Sequence, residues 1–331
     1  MSAPLAIDVS VVTHDSRRWL AGLAESLLGQ TAGTAHLSLL VWDNASRDDT
    51  VARLRDLEPR LASRLARVDI EAGDRNLGFG AGHNRNAARG RSPYLLILNP
   101  DVELEPDALA CLAAEVERAD DSVAAFELRQ VPYEHPKVYD PTTGETGWCS
   151  GAALLVRRAA FEAVGGFDER IFLYGEDVDL SWRLRAAGYR LRYVPRAVVR
   201  HFAYARPGEV KPPQYLGSTL ANLYLRLRFG SACDVAVGLA RYLLLLARPA
   251  HFPGKRRGLV RNLWTFARHA PHFLATRRRL PGLARFDGWD YGPMREGAFY
   301  PVDPPSARSE TPLVSVLVRT TGRVGFLREA L

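Results

Sequence analysis

The sequence predicts an α/β fold built on a mostly parallel sheet with helices on both faces. Short apolar runs alternate with helical patterns between residues 7 and 122, which is typical of parallel sheets. Each predicted strand also ends in a polar loop, at the edge where open α/β sheets bind ligands. The predicted strands cover residues 9–12, 37–42, 68–70, 94–98, 151–156 and 197–200. The predicted helices cover residues 18–28, 50–65 and 177–187.

The composition indicates a globular protein with an anionic partner. The chain has 331 residues, of which 47% are hydrophobic, and a formal net charge of +7. Nucleic acid, a nucleotide diphosphate or an acidic membrane surface would each suit that charge. The three cysteines are too few and too far apart for a disulfide framework or a zinc spacing. Because a strand pattern follows the N-terminus without a basic or long apolar leader, we expect a cytoplasmic first domain.

The chain divides into four predicted parts. Residues 1–215 form the sheet domain, in which the proline-, threonine- and glycine-rich segment 132–147 is expected to cover the site. Residues 216–281 form a separate basic helical region, with twelve Lys or Arg and the single acid Asp234 in 216–280. Residues 282–312 are a proline-rich linker. Residues 313–331 begin a truncated second domain, because 314–320 repeat the strand pattern of 9–14.

The basic helical region has two interpretations. Arginines and lysines among leucine and aromatic residues are typical of a helix at an anionic membrane surface. A solvated packing domain or an oligomer interface has the same composition. The most apolar stretch, residues 235–247, is interrupted by Arg241 and is too short to cross a bilayer.

Polar loops after the first strands are candidates for nucleotide binding. Asp43, Asn44 and Ser46 follow the second strand, and Thr13 ends the first. A carboxylate at a strand end can accept hydrogen bonds from a base or a ribose. A helix cap is the alternative. The turn that contains Asn76 and Gly78 has three glycines and could bring backbone amides near a diphosphate, or it could be structural.

Two later segments carry candidate ligands and a candidate base. Asp101, in Asn99-Pro100-Asp101, could hold a divalent cation against two phosphates, or the segment could be an ordinary turn. His201 ends an apolar strand, as a metal ligand or as a surface histidine. Three carboxylates lie within four positions of a loop-to-helix junction and repel one another unless a substrate or cation organises them. They are Glu176, Asp177 and Asp179.

These segments, taken in order, resemble the family 2 glycosyltransferases, and especially the rhamnosyltransferase-like enzymes of bacterial surface polysaccharides. The resemblance covers about residues 7–202. It is carried by Asp43-Asn44-x-Ser46-x-Asp48, Asn76-x-Gly78-Phe79, Leu98-Asn99-Pro100-Asp101, Ser150-Gly151-Ala152, Gly165-Gly166-Phe167-Asp168-Glu169 and Gly175-Glu176-Asp177-Val178-Asp179.

The resemblance implies a GT-A fold, related to the Rossmann fold, and roles for these residues. Asp177 matches the general base, with Glu176 beside it. Asp101 and His201 match ligands of Mn²⁺ or Mg²⁺, although Asn99 replaces the first acid of the family's metal motif. Residues expected to contact the donor are Thr13, Asp43, Asn44, Ser46, Asn76, Gly78, Asn99 and Asp101. Residues that could contact the acceptor are Trp148, Tyr174 and Asp179; core packing is an equal alternative for the two aromatic rings.

The implied activity is inverting hexosyl transfer from a nucleotide-sugar, first of all dTDP-rhamnose, to a glycan or lipid-linked acceptor. The enzyme is expected in the cytoplasm or peripherally at the inner membrane face, without a nucleic-acid partner. UDP-hexose or UDP-galactofuranose transfer is the alternative within the fold. A nucleotidyltransferase is disfavoured because residues 13–18 lack glycine. A non-catalytic scaffold or nucleic-acid-binding protein is disfavoured by the acidic cluster.

Overall fold

A computed structural model describes residues 5–34, 36–134, 139–140, 142–202, 211–250, 252–280, 286 and 300–301. Its strands are β1 (Ile7–Thr13), β2 (Leu37–Asp43), β3 (Arg67–Ala72), β4 (Tyr94–Leu98), β5 (Val102–Leu104), β6 (Val123–Val131), β7 (Tyr133–Glu134), β8 (Ala153–Arg157), β9 (Arg190–His201) and β10 (Tyr300–Pro301). Its helices are α1 (Leu20–Leu28), α2 (Thr50–Ala62), α3 (Phe79–Arg89), α4 (Ala108–Arg118), α5 (Arg158–Ala163), α6 (Glu176–Ala186), α7 (Pro212–Phe229), α8 (Ala232–Ala247) and α9 (Lys255–Ala275).

The first four strands form the parallel part of one eight-stranded sheet, as the alternating pattern predicts. The order across the sheet is β3-β2-β1-β4-β8-β6-β9-β5. β1 pairs in parallel with β2 on one side and with β4 on the other. These three strands are almost continuously buried because helices cover both faces. Their carboxyl ends therefore meet at one edge, where Thr13 lies opposite Asp43.

The other half of the sheet is mixed. β8 runs antiparallel between β4 and β6, and β5 runs antiparallel to β9. β9 has 12 residues, many more than the predicted strand at 197–200, and ends at His201. Residues 144–146 contact β9 near its start, since Tyr193 N donates to Gly144 O over 2.8 Å. Residues 144–146 thus lie near the start of β9, whereas Pro132 and β7 directly follow Val131, which pairs with Arg200 beside His201. That segment 132–147 covers the site stays a prediction.

The basic helical region is joined closely to the sheet domain. α7 begins at Pro212, so the predicted boundary after residue 215 falls inside this helix. Apolar residues of α7 share buried clusters with Ile171 and with Val178 and Trp182 of α6. α7 therefore packs on the sheet domain, and the division of the chain after residue 215 stays a prediction. Within the described residues, no helix has both the length and the apolar character needed to cross a membrane.

The predicted linker and second domain lie mostly outside the described residues. Phe286 packs on Trp182 and Phe229, and β10 pairs antiparallel with β7. Parts of the predicted linker therefore contact the sheet domain. Segment 313–331 is outside the described residues, and its assignment to a second glycosyltransferase domain stays a prediction.

Candidate active site

The loops after β1 and β2 form one hydrogen-bonded unit around Asp43. The Thr13 hydroxyl donates to Asp43 Oδ1 over 2.7 Å, and the Ser46 amide donates to Oδ2 over 2.9 Å. The Ser46 hydroxyl also donates to Oδ1. Thr13 and Asp43 are fully buried here, and Ser46 is half-buried. Neutral donors thus hold the carboxylate in place, and its contact with a base or ribose stays a prediction.

Asn44 and Asn76 shape the glycine-rich turn. Asn44 Oδ1 accepts from Leu77 N over 3.1 Å, and its Nδ2 donates to Gly78 O over 2.9 Å. Asn76 Oδ1 accepts from Gly78 N over 2.9 Å. Gly78 has φ +91°, and a Cβ there would lie 2.3 Å from Phe172 O. Only glycine permits this conformation and close approach, so these residues fasten the turn to the segment that precedes α6.

Asn99, Asp101 and His201 come together at the ends of β4 and β9. His201 Nε2 lies 3.5 Å from Asp101 Oδ1 and 3.4 Å from Asn99 Nδ2. Burial raises the pKa of Asp101, but the hydrogen bond and charge of His201 outweigh it and leave the pKa below its ordinary value. His201 is 102 residues from Asn99 in sequence, and the structure brings it to the Asn99-Pro100-Asp101 turn, as the predicted cation site requires.

Gln130 orients His201, and no sequence pattern indicated this role. Gln130 is buried on β6, and its Oε1 lies 2.7 Å from His201 Nδ1. Because a carboxamide oxygen only accepts, this contact keeps a proton on Nδ1 and turns Nε2 toward Asp101. A partner of this kind is typical of metal-binding histidines. No local pattern marks Gln130, since β6 and β9 pair only in the folded sheet.

Asp177 lies at the start of α6, beside the strand edge. Its Oδ2 accepts from Gly151 N over 3.0 Å and its Oδ1 from Val178 N over 2.8 Å. Ala152, the residue after Gly151, accepts through its carbonyl oxygen from Asn99 N over 2.9 Å. A short chain of hydrogen bonds therefore links the candidate base to the candidate cation site. Asp177 is half-buried, whereas Glu176 is buried.

The three clustered carboxylates have different surroundings, which answers how they coexist. Burial, with the charges of Asp177 and Asp179, raises the pKa of Glu176 well above its ordinary value, which favours its protonated form. Asp179 is fully buried between Arg183 Nε, 2.7 Å away, and Arg228. Its predicted contact with the acceptor stays a prediction, and its observed partners are these two arginines. Asp177 instead accepts from backbone amides.

The two candidate aromatic residues differ in position. Burial and the nearby carboxylates of Glu176 and Asp101 raise the pKa of Tyr174 to about 12, so its phenol stays protonated at neutral pH. Trp148 packs against the cluster that contains Trp182 and Phe229. That contact matches the packing alternative, and its stacking on a sugar stays a prediction.

Strained backbone is concentrated at these loops. In the described part of the chain, the non-glycine residues with positive φ are Asp15, Ala45 and Tyr174. Asp15 and Ala45 belong to the loops after β1 and β2, and Asp15 N donates to Ser46 Oγ over 2.9 Å. Such conformations cost energy and cluster at functional sites. No sequence signal indicated them.

The described residues fit a divalent cation that is completed by a substrate. No three His, Cys, Asp or Glu side chains in the described ranges form a ready metal cluster. Mg²⁺ is, however, usually bound by one or two carboxylates together with substrate phosphates. The 3.5 Å between His201 Nε2 and Asp101 Oδ1 suits two ligands of one ion with bonds of about 2.0–2.2 Å.

Comparison with known proteins identifies the family. The description Glycosyl transferase family 2 matches residues 8–165, and Glycosyl transferase family group 2 matches residues 138–210. An N-acetylglucosaminyl-diphospho-decaprenol L-rhamnosyltransferase of Mycobacterium tuberculosis is 33% identical over 238 residues, 58% of this chain and 74% of that protein. The chain belongs to glycosyltransferase family 2. It is an enzyme that transfers glycosyl groups, as the motifs imply.

Further relatives agree with this assignment. The rhamnosyltransferase WbbL of Escherichia coli is 28% identical over 235 residues, 59% of this chain and 83% of that protein. A Pyrobaculum calidifontis mannosyltransferase solved with GDP-Man and Mn²⁺ has a TM-score of 0.54 at 16% identity, covering 83% of this glycosyltransferase and 73% of that chain. S. aureus TarS with UDP-GlcNAc has a TM-score of 0.53 at 16% identity, covering 82% and 84%. The predicted GT-A fold is confirmed.

Proposed function

We propose that this glycosyltransferase moves rhamnose from dTDP-rhamnose to a lipid-linked glycan acceptor, with inversion, in the synthesis of a bacterial surface polysaccharide. Two relatives are named rhamnosyltransferases, and one name contains a decaprenol diphosphate sugar. The observation that carries the chemistry is the link from Asp177 through Gly151 and Ala152 to Asn99. It supports a base and a phosphate-binding site on one edge of the sheet.

The proposed reaction is a single displacement. Asp177 takes the proton of the acceptor hydroxyl as that oxygen bonds to the anomeric carbon, and the bond from this carbon to the diphosphate oxygen breaks. The nucleoside diphosphate leaves with the electron pair. A positioned base of this kind contributes on the order of 10²–10⁴ in rate. The protonated carboxyl of Glu176 avoids a second negative charge beside the base.

Asp101 and His201 are the proposed ligands of Mn²⁺ or Mg²⁺. A cation bound there would neutralise charge on the departing diphosphate. Gln130 would keep His201 Nε2 directed at it. Thr13, Asp43 and Ser46 would hold the nucleoside end of the donor, because they lie at the adjoining strand ends.

The base assignment is tested by comparing Asp177→Asn with Glu176→Gln. The first should lower kcat by on the order of 10²–10⁴ with little change in donor affinity. The second is the matched control, because glutamine resembles the protonated acid and should retain most of the turnover. Near-normal kcat in Asp177→Asn, or an equal loss in both variants, would remove Asp177 from the role. Proton NMR of the product linkage tests inversion.

The cation site is tested by Mn²⁺ titration followed by electron paramagnetic resonance, in the presence of dTDP. Asp101→Ala should weaken binding most. His201→Ala and Gln130→Leu should weaken it by about 10-fold or more, the range seen when a ligand or its hydrogen-bond partner is lost. Unchanged Mn²⁺ affinity in all three variants would show that the cation lies elsewhere.

The donor is tested by thermal shift with nucleotide-sugars, with and without Mn²⁺ or Mg²⁺. A ligand that binds only the folded state raises Tm as its occupancy rises. dTDP-rhamnose should give the largest shift. A larger shift with a UDP-hexose or UDP-galactofuranose would replace the donor assignment and leave the family unchanged. The proposed location is the cytoplasm, at the inner membrane face where a lipid-linked acceptor lies.

A further inference from the structure

α8 and α9 form an outer layer on α7. Gly238 of α8 packs on the Arg226 and Leu223 side chains of α7, and Gly258 of α9 packs on Leu216. The Tyr242 hydroxyl of α8 donates to Leu259 O of α9 over 2.9 Å. The two helices therefore neighbour each other, and their exposed faces both point away from α7.

The exposed face of α9 has an apolar stripe along its length. Its members are Val260, Trp264, Ala267, Pro271 and Leu274, all exposed. Their spacing of four, three, four and three residues places them on one line of the helix. Trp264 is 77% exposed, the largest value among the exposed large hydrophobic side chains of the described residues. This stripe is opposite the face that carries Gly258 and Leu259.

The exposed face of α8 is apolar throughout. Its exposed residues are Ala232, Cys233, Ala236, Val237, Ala240, Leu243, Leu244 and Ala247. Leu243 and Leu244 are each 58% exposed. Asp234, the only acid between residues 216 and 280, is engaged in a capping box with Ser231 at the start of the helix. Two adjacent helices thus expose apolar side chains without a carboxylate among them.

Arginines flank the apolar stripe of α9. At 100° per residue, Arg257, Arg261 and Arg268 lie along one side of the stripe, and Arg256 lies at its opposite edge, at the angle of Leu274. All four are exposed. An apolar centre between positive flanks is the pattern of a helix that lies in a membrane interface, where the charges meet anionic headgroups. A second copy of the same face would set arginines against arginines.

We propose that the outward faces of α8 and α9 bind the surface of an anionic membrane. Leu243, Leu244 and Trp264 enter the boundary between headgroups and acyl chains, and the flanking arginines contact lipid phosphates. The inference rests on the proposed function in one respect, since a lipid-linked acceptor would lie in the same membrane. It confines the membrane contact to α8 and α9, because α7 is covered by them and by the sheet domain.

Vesicle flotation of the full chain tests the surface. The probes are vesicles of phosphatidylcholine alone and of phosphatidylcholine with phosphatidylglycerol. We expect binding to the mixed vesicles at low salt, at least 10-fold weaker binding to the zwitterionic ones, and release as salt rises. Protein that stays unbound with the mixed vesicles at low salt would overturn the proposal.

Two sets of variants separate the surface from net charge. The first combines Leu243→Ser, Leu244→Ser and Trp264→Ser, and the second combines Arg257→Gln and Arg261→Gln. Each should weaken binding at least 10-fold. The matched control, Arg64→Gln with Arg118→Gln, removes the same charge from exposed positions in the turn after α2 and at the end of α4, and it should bind as the unaltered chain does. If the control variant loses as much vesicle binding as the other two sets, overall charge explains the binding and the assigned face is wrong.

Two further measurements do not depend on how the variants fold. Brominated phosphatidylglycerol in the vesicles should quench tryptophan fluorescence of the unaltered chain, and absence of quenching contradicts insertion of Trp264. Analytical ultracentrifugation of the unaltered chain without lipid should show no dimer formed through this face. A dimer that is lost in the triple serine variant would assign the face to self-association and overturn the proposal. Hydrolysis of dTDP-rhamnose by the unaltered chain without vesicles reports on the donor site alone. If the chain binds vesicles but does not hydrolyse dTDP-rhamnose, only the proposed function is contradicted.

Discussion

α7 and the α8–α9 pair come from one basic, leucine-rich stretch, yet they use their arginines in opposite ways. Arg226 and Arg228 of α7 are among the largest fully buried side chains of the described residues. The arginines that flank the stripe of α9 are exposed. Composition is the same in both places, so it does not decide burial. The difference is set by the presence of partners across the interface.

Buried carboxylates account for the position of Arg228. Its guanidinium pairs with Asp179 of α6 and with Asp168, whose Oδ2 lies 2.5 Å from Nη2. His272 Nε2 of α9 also lies 2.7 Å from Asp168 Oδ2. Gly217 and Ala221 of α7 pack on residues 173–175, the segment that leads to Asp177. α7 is therefore part of the frame of the candidate active site, whereas α8 and α9 expose their outer faces.

The largest effect is expected for Arg228→Met. It leaves two buried carboxylates without their shared cation, and breaking a buried ion pair costs about 3–5 kcal/mol. Urea unfolding at pH 7 measures the loss of stability. Because Asp179 lies two residues after Asp177, kcat should fall as well. A loss of under about 1 kcal/mol would mean that water or another group replaces the arginine, and the comparison would fail.

Arg226→Met is the matched variant on the same helix. Arg226 Nε donates to Asn222 Oδ1 over 2.8 Å and its Nη1 to Asp234 O over 2.9 Å, and it lies over the Phe286 ring. Because the acceptors in these two hydrogen bonds are neutral, their loss should cost less than the loss of an ion pair, about 1–3 kcal/mol. The same urea series compares the two. A loss equal to that of Arg228→Met would show that burial alone, not the carboxylates, sets the energy.

The pairing of Asp168 predicts a pH dependence. Burial alone would raise the pKa of Asp168. Hydrogen bonds from Arg228 and His272 outweigh burial and lower this pKa to about 2, from an unfolded value near 3.8. A carboxyl group whose pKa is lowered by folding stabilises the folded state at pH values above its unfolded-state pKa, here by about 2 kcal/mol. That stabilisation is lost as the pH falls from 4 toward 2. The stability difference between the unaltered chain and Asp168→Asn should narrow as pH falls below 4. A difference that does not narrow contradicts the pairing.

The smallest effect is expected on the outer helices. Leu243→Ser and Trp264→Ser should change the free energy of unfolding by no more than about 0.5 kcal/mol, because exposed side chains lose few contacts when truncated. Thermal denaturation without lipid measures it. A loss above about 2 kcal/mol in either variant would show that the face is covered in the folded protein, which would remove the contrast with α7.

The sequence alone was enough for the parallel strands β1 to β4, whose ends carry several candidate site residues, but it did not predict β5 or β6. β4 matches its predicted bounds, β1 is longer by two residues at its start and one at its end, and β2 is longer by one residue. Apolar runs that end in Asp43 and Asn99 are local patterns, and parallel strands bring their carboxyl ends to one edge. Short motifs such as Glu176-Asp177 could also be recognised from the sequence, because their residues are adjacent in the chain.

Only the tertiary structure decided what each polar group does. Asp179 is neutralised by an arginine 49 residues later, and His201 is oriented by Gln130, 71 residues earlier. Glu176 favours its protonated form because burial and two nearby carboxylates raise its pKa. Burial, partner and protonation state depend on contacts between residues far apart in sequence. Periodicity and motif spacing report only local order. The burial of α7 and the exposure of the outer faces of α8 and α9 could therefore be known only from the folded chain.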